Sequence, residues 1–434
     1  MAVNIGIISE TKPGEGRIPL TPTHITDLQG AHPDLHITVQ PSRQRSFSDA
    51  EFNSVGIRMA SSLENENLIL GVKEIKAEHI TGGQAYLFFS HTLKGQSYNM
   101  PLLQHILDVQ ATLIDYELIA DTQNRRLVFF GTHAGMAGVV NSLWAYGQRM
   151  RHLGQETPFT KIKQACEYHD LAEIRRVFKE LKPELKSWLV DQPAIVVGIT
   201  GYGNVSQGVQ SLLDLLPITA ISPQELLSGD LDKYTGQILK VIFKEEDMFE
   251  LKNGDGPFVL QDYFQNPAEY RSKFYPYLHK MDILINCIFW TTACPRLITL
   301  KEIKQHYAED ATLKVVGDIT CDIDGSIQFN TGATLSTDPV YVYDVNAGTR
   351  TMGFVGDGPL VMAVDTLPAE LPRESSQAFG DALMPFVYAM GACDYSKPFE
   401  ALSLPPEIHK AVIAHQGKLT PKFEYLTRYL KNEN

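Results

Sequence analysis

The sequence contains little cysteine and no long apolar segment. Only five of its 434 residues are cysteines, and no two of them form a CxxC pair. This pattern favours free thiols in a reducing compartment, and we therefore expect a cytoplasmic protein. No stretch reaches about 18 uninterrupted apolar residues, so no membrane span is expected. The N-terminus also lacks the basic flank and cleavage site of a signal peptide.

The sequence is also poor in positive charge. Lysine and arginine number 38 against 51 aspartates and glutamates, which gives a net charge of −13. Such a surface repels nucleic acid and anionic membranes, so neither is expected as a partner. No metal is expected either, because Cys166 and His169 supply only two ligands and Pro33 breaks the spacing between His32 and His36.

Several short segments are almost continuously apolar instead of alternating. This is typical of strands that are covered on both faces, as in parallel sheets with helical crossovers. The runs lie at residues 3–8, 68–72, 85–89, 111–114, 194–197, 283–288 and 315–319. We therefore predict an α/β protein with two Rossmann-like domains, parallel sheets and an active-site cleft between the domains.

The domain boundaries follow from the order of these segments. We expect a substrate or catalytic domain over residues 1–135, completed by a C-terminal return over 352–434, and a dinucleotide-binding domain over 136–351. Residues 161–189 read as a helix that Pro183 interrupts. The polar, acidic stretch 222–275 reads as a solvated insertion or an irregular edge.

A glycine-rich turn follows the apolar run 194–197 and opens a predicted helix. It contains Gly201, Tyr202, Gly203, Asn204 and Val205. In this context glycines permit a tight turn close to a pyrophosphate, whose charge then lies at the helix N-terminus. Ser206 replaces the third glycine of the usual motif and is still small. A plain glycine-rich turn is the alternative, and the flanking strand and helix favour a nucleotide.

The residue after the next predicted strand, Ser222, bears on the choice of cofactor. An acidic residue at this position would bind the ribose hydroxyls of NAD. Ser222 removes the repulsion against a 2′-phosphate, although no arginine nearby would bind that phosphate. The cofactor is therefore NADPH or NADH, with NADPH slightly favoured.

Charged side chains follow the predicted strands of the first domain. Because ligands bind at the carboxyl ends of the strands in open parallel sheets, these side chains should share one crevice. They are Lys12, Arg17, Lys73, His91, Lys94 and Glu117.

This set suits proton transfer on an anionic substrate. Arg17 and Lys12 can pair with carboxylates, and His91 can act as acid or base near neutral pH. Burial and neighbouring cations should lower the pKa of Lys73. Glu74 should point away from Lys73 and act as a supporting partner.

Motifs along the whole chain carry a resemblance to a known family. They are Glu10–Pro22 (ETKPGEGRIPLTP), Gly71–Glu74 (GVKE), Phe89–Lys94 (FSHTLK), Asp115–Glu117 (DYE), Phe130–Gly138 (FGTHAGMAG), Gly201–Ser206 (GYGNVS), Ile285–Trp290 (INCIFW), Asp318–Ile327 (DITCDIDGSI) and Leu367–Glu374 (LPAELPRE). The chain resembles the lysine-ketoglutarate reductase domain of aminoadipic semialdehyde synthase. It is more distantly similar to lysine-forming saccharopine dehydrogenase, alanine dehydrogenase and the transhydrogenase N-terminal domain.

The resemblance implies roles for individual residues. Lys73 and His91 would be the acid–base pair, Arg17 would hold a substrate carboxylate, and Glu117 would balance charge. Asp318 would lie near the cofactor, which Gly201 and Gly203 would hold.

The resemblance also implies a reaction, the NAD(P)H-dependent condensation of lysine and 2-oxoglutarate to saccharopine. Another opine-type or alanine dehydrogenase is the nearest alternative. A non-catalytic nucleotide-binding regulatory protein is the second. The sequence leaves the oligomeric state open.

Overall fold

The computed structural model describes residues 2–254 and 256–430, which form strands and helices in alternation. The strands are β1 (Val3–Ile7), β2 (Leu35–Val39), β3 (Arg58–Met59), β4 (Leu68–Leu70), β5 (Ala85–Phe88), β6 (Thr112–Asp115), β7 (Ile195–Thr200), β8 (Ile218–Ile221), β9 (Ile238–Phe243), β10 (Phe249–Leu251), β11 (Tyr270–Ser272), β12 (Ile283–Asn286), β13 (Val315–Asp318), β14 (Val340–Asp344), β15 (Thr349–Met352), β16 (Leu360–Met362), β17 (Val412–His415) and β18 (Lys418–Leu419).

The helices connect these strands and cover the sheets. They are α1 (Pro22–Ala31), α2 (Asp49–Ser54), α3 (Met100–Asp108), α4 (Gly131–His152), α5 (Leu171–Leu189), α6 (Asn204–Leu213), α7 (Pro223–Ser228), α8 (Glu245–Met248), α9 (Leu260–Gln265), α10 (Tyr275–Leu278), α11 (Leu300–Glu309), α12 (Pro372–Gly391), α13 (Pro406–His409) and α14 (Thr427–Leu430). None of the helices in the described residues is long and apolar enough to cross a membrane.

The chain divides into two units. The first unit runs to Phe130 and resumes at Pro372, and the second unit comprises Gly131–Leu371. The sequence prediction placed the second boundary at residue 352. The second unit continues beyond it because β16 pairs with β13 inside the second sheet.

The first unit contains one eight-stranded sheet in the order β18-β17-β6-β5-β4-β1-β2-β3. The six strands from β6 to β3 are parallel, and β17 and β18 add an antiparallel edge. Successive parallel strands therefore follow the 3-2-1-4-5-6 order of doubly wound folds. In such a sheet ligands bind at the carboxyl ends of the strands, where Lys73 and His91 stand.

The second unit repeats this architecture with one change in strand order. Its eight-stranded sheet runs β15-β14-β16-β13-β12-β7-β9-β8, and β10 and β11 form a separate hairpin. The six strands from β16 to β8 are parallel. Here β9 lies between β7 and β8, so the second strand of this unit stands at the edge of the sheet. The predicted fold class, α/β with two largely parallel sheets, is confirmed.

Both sheets are covered on both faces, as the apolar runs predict. In β4, Leu68 and Leu70 join one hydrophobic cluster of the first unit, and Ile69 joins another. In β7, Val197 and Val196 likewise belong to different clusters of the second unit. Alternate side chains of one strand thus enter cores on opposite faces.

Close helix packing in the second unit depends on two glycines. A Cβ at Gly208 in α6 would lie 2.0 Å from the carbonyl oxygen of Thr132 in α4, and one at Gly135 would lie 1.9 Å from that of Val205. Both contacts are with backbone atoms, which cannot rotate away. The small residues at the start of α4 therefore allow close packing against α6, the helix that follows the glycine turn.

Two local predictions are wrong. Helix α5 continues through Pro183 because this proline lies on the exposed side, where water can solvate the carbonyl that it leaves unpaired. The stretch 222–275 is not mostly solvated, because it contains β9, a strand of the second sheet with five buried residues out of six.

Candidate active site

Lys73 is the central cation of the candidate site. It follows β4 at the carboxyl end of the first sheet. Burial lowers the pKa of its amine, the charges of Arg17 and Lys12 lower it further, and Glu15 and Glu74 oppose this shift. The direction is the one predicted from the sequence. A lysine amine with a lowered pKa can give up and regain a proton during a reaction.

Arg17 is tied to a carboxylate that the sequence prediction did not include. Its Nε lies 2.7 Å from Oε1 of Glu15 and its Nη2 lies 2.5 Å from Oε2, and both side chains are almost fully buried. The guanidinium also stacks over the ring of Phe130, 4.2 Å from its centroid. Burial alone would raise the pKa of Glu15, but the hydrogen bonds and charge of Arg17 bring it below its usual value. These two hydrogen bonds leave Nη1 and the second N–H of Nη2 for a substrate carboxylate.

His91 follows β5 and is held by Glu74. Its Nδ1 lies 2.5 Å from Oε1 of Glu74. Burial would raise the pKa of Glu74, but the hydrogen bond from His91 and further favourable contacts lower it to about 2. The backbone of His91 adopts a φ of 51°, a left-handed conformation that non-glycine residues seldom adopt outside functional sites and turns. Nε2 is therefore the ring nitrogen available for proton transfer.

Asp115 links the ends of β5 and β6. Its carboxylate accepts hydrogen bonds from the backbone N–H of Ser90 at 2.9 Å, from the hydroxyl of Ser90 at 2.5 Å and from the N–H of Glu117 at 2.8 Å. These bonds fix the loops that carry His91 and Glu117. Glu117 is half-buried on the turn after β6, and Lys94 is exposed three residues past His91.

Glu10 is a further group that the sequence prediction missed. Its carboxylate accepts hydrogen bonds from the backbone N–H groups of Val72 at 2.6 Å and of Lys73 at 3.1 Å. Burial raises the pKa of Glu10 to about 7, and the nearby Glu15 adds to the shift. Glu10 thus joins the loop after β1 to the loop that carries Lys73. The one signal for it in the sequence is its position at the start of the motif that carries Lys12 and Arg17.

The glycine turn of the second unit has the conformation that its sequence predicts. Gly201 adopts a φ of 77°, and its N–H donates a 2.8 Å hydrogen bond to the carbonyl of Phe243. Gly203 is the N-cap of α6, which begins at Asn204, and no atom lies within 4 Å of a Cβ added to Gly203. The backbone here is open to a close ligand, which fits a pyrophosphate.

Ser222 does not lie beside this turn. It follows β8, the edge strand, and it caps α7 by exchanging hydrogen bonds with Glu225. The strand next to β7 is β9, and the residues that follow β9 include Glu245, whose charge raises the pKa of Tyr202 in the turn. The strand order, which cannot be read from the sequence, therefore separates Ser222 from the turn.

Asp318 ends β13 inside a buried polar network. Its two carboxylate oxygens accept hydrogen bonds of 2.8 Å from the side-chain amides of Asn286 and Asn330. Burial raises its pKa to about 6, against the lowering effect of these bonds. Thr200 at the end of β7 donates to Asn286 at 2.8 Å, so the network joins the carboxyl ends of β7, β12 and β13. Among residues 2–254 and 256–430, no group of three or more His, Cys, Asp or Glu side chains could hold a metal ion.

Comparisons with solved structures define the class of fold. The chain is similar to an L-alanine dehydrogenase over 98% of its length, with a TM-score of 0.64 at 16% identity and 99% of that chain covered. It is also similar to a transhydrogenase from Sinorhizobium meliloti over 96% of its length, with a TM-score of 0.55 at 14% identity and all of that chain covered. The fold is thus the two-unit α/β fold of alanine dehydrogenase.

Comparisons of sequence point to the same group of proteins. Residues 6–137 match the family described as alanine dehydrogenase/PNT, N-terminal domain. The chain is homologous to the alpha-aminoadipic semialdehyde synthase of Arabidopsis thaliana, with 36% identity over 99% of the chain and 42% of the relative, and to that of Bos taurus, with 33% identity over 96% and 47%. A saccharopine dehydrogenase [NAD(+), L-lysine-forming] of Schizosaccharomyces pombe is 26% identical over 91% of the chain and 95% of the relative. The chain spans less than half the length of the two synthases.

Proposed function

We propose that the protein catalyses the reductive condensation of L-lysine with 2-oxoglutarate to saccharopine, with a nicotinamide cofactor. The observation that carries the proposal is the half-buried Lys73 amine, whose pKa is lowered by burial and by the charges of Arg17 and Lys12 at the carboxyl end of the first sheet. Similarity to aminoadipic semialdehyde synthases over almost the whole chain supports the choice of substrates. The S. pombe relative, of which 95% is covered, supports the same choice.

The residues of the second unit fit a dinucleotide. The left-handed Gly201 and the open backbone at Gly203 allow a pyrophosphate to approach the first turn of α6. Tyr202, Asn204 and Val205 complete this turn. The cofactor, when bound, supplies the hydride that reduces the imine carbon. Asp318 closes the polar network at the ends of the neighbouring strands and is proposed to lie near the cofactor.

The first unit is proposed to bind the substrates and to move the protons. Lys12, Lys94 and Nη1 of Arg17 attract the carboxylates of 2-oxoglutarate. Glu117 balances the positive charge of this group. The amine of Lys73, with its lowered pKa, takes a proton from the ε-ammonium of the substrate lysine so that the free amine can attack the keto carbon.

His91 is proposed to act as the acid for the leaving oxygen. Its Nε2 delivers a proton to the hydroxyl of the carbinolamine, the C–O bond breaks, and water leaves as the C=N bond forms. Glu74 accepts a hydrogen bond from Nδ1 of His91 and keeps Nε2 directed to the substrate. The overall reaction consumes lysine, 2-oxoglutarate, one hydride and one proton, and it yields saccharopine and water.

The test is cofactor oxidation, followed at 340 nm. We expect NADH or NADPH to be consumed only when lysine and 2-oxoglutarate are both present, because the imine forms from both. Faster oxidation with pyruvate and ammonia would show that the protein is an alanine dehydrogenase instead. Oxidation with a different amine and keto acid would show that it is another opine-type dehydrogenase. Dinucleotide binding without turnover on any pair would favour a regulatory protein.

The partners and the compartment are also part of the proposal. We propose small-molecule partners only, without nucleic acid, as the net charge of −13 favours. All five cysteines are free thiols, which supports the cytoplasm. The mammalian relatives are named as mitochondrial, so fractionation of cells should compare these two compartments.

A further inference from the structure

The strand order of the second unit changes which residues stand beside the glycine turn. In doubly wound folds the ribose next to the adenine is bound by the residue that follows the strand neighbouring the first one. Here that neighbour of β7 is β9, paired in register from Ile195 with Ile238 to Thr200 with Phe243. The N–H of Gly201 donates to the carbonyl of Phe243 at 2.8 Å. The chain segment after Phe243 is therefore adjacent to the turn.

The edge strand β8 cannot serve in this role. It is separated from β7 by the full width of β9. The hydroxyl and the N–H of Ser222 both donate to the carboxylate of Glu225 at 2.8 Å, so its polar atoms already have partners. The preference for NADPH that rests on Ser222 thus loses its basis.

A carboxylate lies in the segment after β9, next to the glycine turn, where Ser222 does not lie. Glu245 is the second residue after β9, in the segment adjacent to the glycine turn. Its charge raises the pKa of the Tyr202 hydroxyl in that turn, and the charge of Glu246 adds to the shift. Lys244 is the cation of this segment, and its Nζ lies 4.0 Å from Glu246 on the exposed surface.

We propose that Glu245 binds the 2′- and 3′-hydroxyls of the adenosine ribose and thereby makes NADH the preferred cofactor. This inference rests on the proposed use of a nicotinamide dinucleotide. A carboxylate accepts hydrogen bonds from two neighbouring hydroxyls and repels a 2′-phosphate. Glu246 adds to this repulsion, and its carboxylate lies 4.0 Å from Nζ of Lys244.

The experiment measures the dissociation constants of NADH and NADPH by calorimetric titration of the full chain, without substrates. We expect the wild type to bind NADH more tightly than NADPH. Glu245→Gln should weaken NADH binding on the order of tenfold and reduce the preference, because it removes a charged acceptor but keeps the shape. Glu246→Gln removes the same charge one residue further on and should change NADH affinity by less than about twofold. Thermal unfolding of each variant shows that the fold is retained.

Other outcomes overturn the inference. Tighter binding of NADPH by the wild type, or an unchanged ratio in Glu245→Gln, removes Glu245 from the role. A changed ratio in Ser222→Ala would return the role to the edge strand. If neither dinucleotide binds, the proposed cofactor use and this inference both fail. If the titrations behave as expected but lysine and 2-oxoglutarate drive no oxidation, the inference stands and the proposed reaction fails.

Discussion

Nδ1 of His91 and Oε1 of Glu74 lie 2.5 Å apart, which defines the ring nitrogen that remains for chemistry. The pKa of Glu74, about 2, keeps this carboxylate ionised at neutral pH. An ionised acceptor at Nδ1 orients the imidazole and leaves Nε2 as the atom that exchanges protons. The histidine and glutamate therefore act as one group.

The first prediction follows from this pairing. Glu74→Gln should lower kcat roughly 10- to 100-fold, because it weakens a charge-assisted hydrogen bond that orients His91. The double variant Glu74→Gln/His91→Gln should be no slower than His91→Gln alone, since the carboxylate acts through the imidazole. Steady-state kinetics of the three variants checks this. Multiplicative effects in the double variant would show that Glu74 has a separate role.

The second prediction concerns the acid–base pair itself. Lys73→Met and His91→Gln should each lower kcat about 10²- to 10⁴-fold, the usual contribution of a general acid or base. Dinucleotide affinity should remain unchanged because the glycine turn belongs to the other unit. Matched controls are the exposed residues Lys76 and His79, whose Lys76→Met and His79→Gln variants should keep full activity. Near-normal kcat in both site variants would remove them from the mechanism.

The third prediction concerns the buried pair of Arg17 and Glu15. Arg17→Met and Glu15→Gln should each lower the free energy of unfolding by about 3–5 kcal/mol, because each leaves a buried charge without its partner. The double variant should lose less than the sum of the two. Urea unfolding gives these values.

The surface pair of the exposed Arg125 and the half-buried Asp121 supplies the control for this cycle. Arg125→Met should cost no more than about 1 kcal/mol, as is usual for surface ion pairs. Where Arg17→Met remains folded, the KM for 2-oxoglutarate should rise through the loss of a carboxylate contact. Additive losses in the Arg17 and Glu15 variants would contradict direct coupling.

The fourth prediction concerns helix packing in the second unit. Gly208→Ala should lower the free energy of unfolding of this unit by about 1–3 kcal/mol, because the new Cβ would lie 2.0 Å from the backbone oxygen of Thr132. Gly30→Ala in α1 is the control, since no atom lies within 4 Å of its Cβ. This control should be neutral or stabilising by up to about 1 kcal/mol. Calorimetry of both variants separates crowding from helix propensity.

The fifth prediction is a pH dependence of stability. Burial lowers the pKa of His306 from 6.5 to about 4, and the nearby His279 adds to the shift. Between pH 4 and pH 6.5, His306 therefore binds fewer protons in the folded state than in the unfolded state. The stability contributed by neutral His306 is therefore complete above pH 6.5 and is lost as the pH falls towards 4. His306→Gln should flatten this part of the curve of unfolding free energy against pH, whereas the exposed His169→Gln should not.

The general architecture could be predicted because its signal is local. Continuous apolar runs mark strands that are covered on both faces, and strands such as β4, β5 and β13 appear where those runs lie. β9 was missed because Lys240 interrupts its apolar run. The structure explains this lysine, whose stem is buried while its Nζ pairs with Asp214 at 2.6 Å.

The candidate site could be predicted only in part because its contacts are long-range. The charged residues after strands were visible, since each lies in the loop or turn that follows an apolar run. Glu10 was not, because it acts on the backbone N–H of Val72, 62 residues away. The order β8-β9-β7 was also inaccessible, since strand neighbours depend on pairing and not on sequence order. Ser222 was misplaced for this reason.

The antiparallel edge of the first sheet has a consequence for synthesis on the ribosome. The hydroxyl of Thr112 in β6 lies 2.7 Å from Nδ1 of His415 in β17, a separation of 303 residues along the chain. All of the second unit is translated between these two residues. The second unit is continuous and can fold as soon as it emerges. The first unit meanwhile remains incomplete, with β6 as an open edge, so of these two units the one whose translation begins first is completed last.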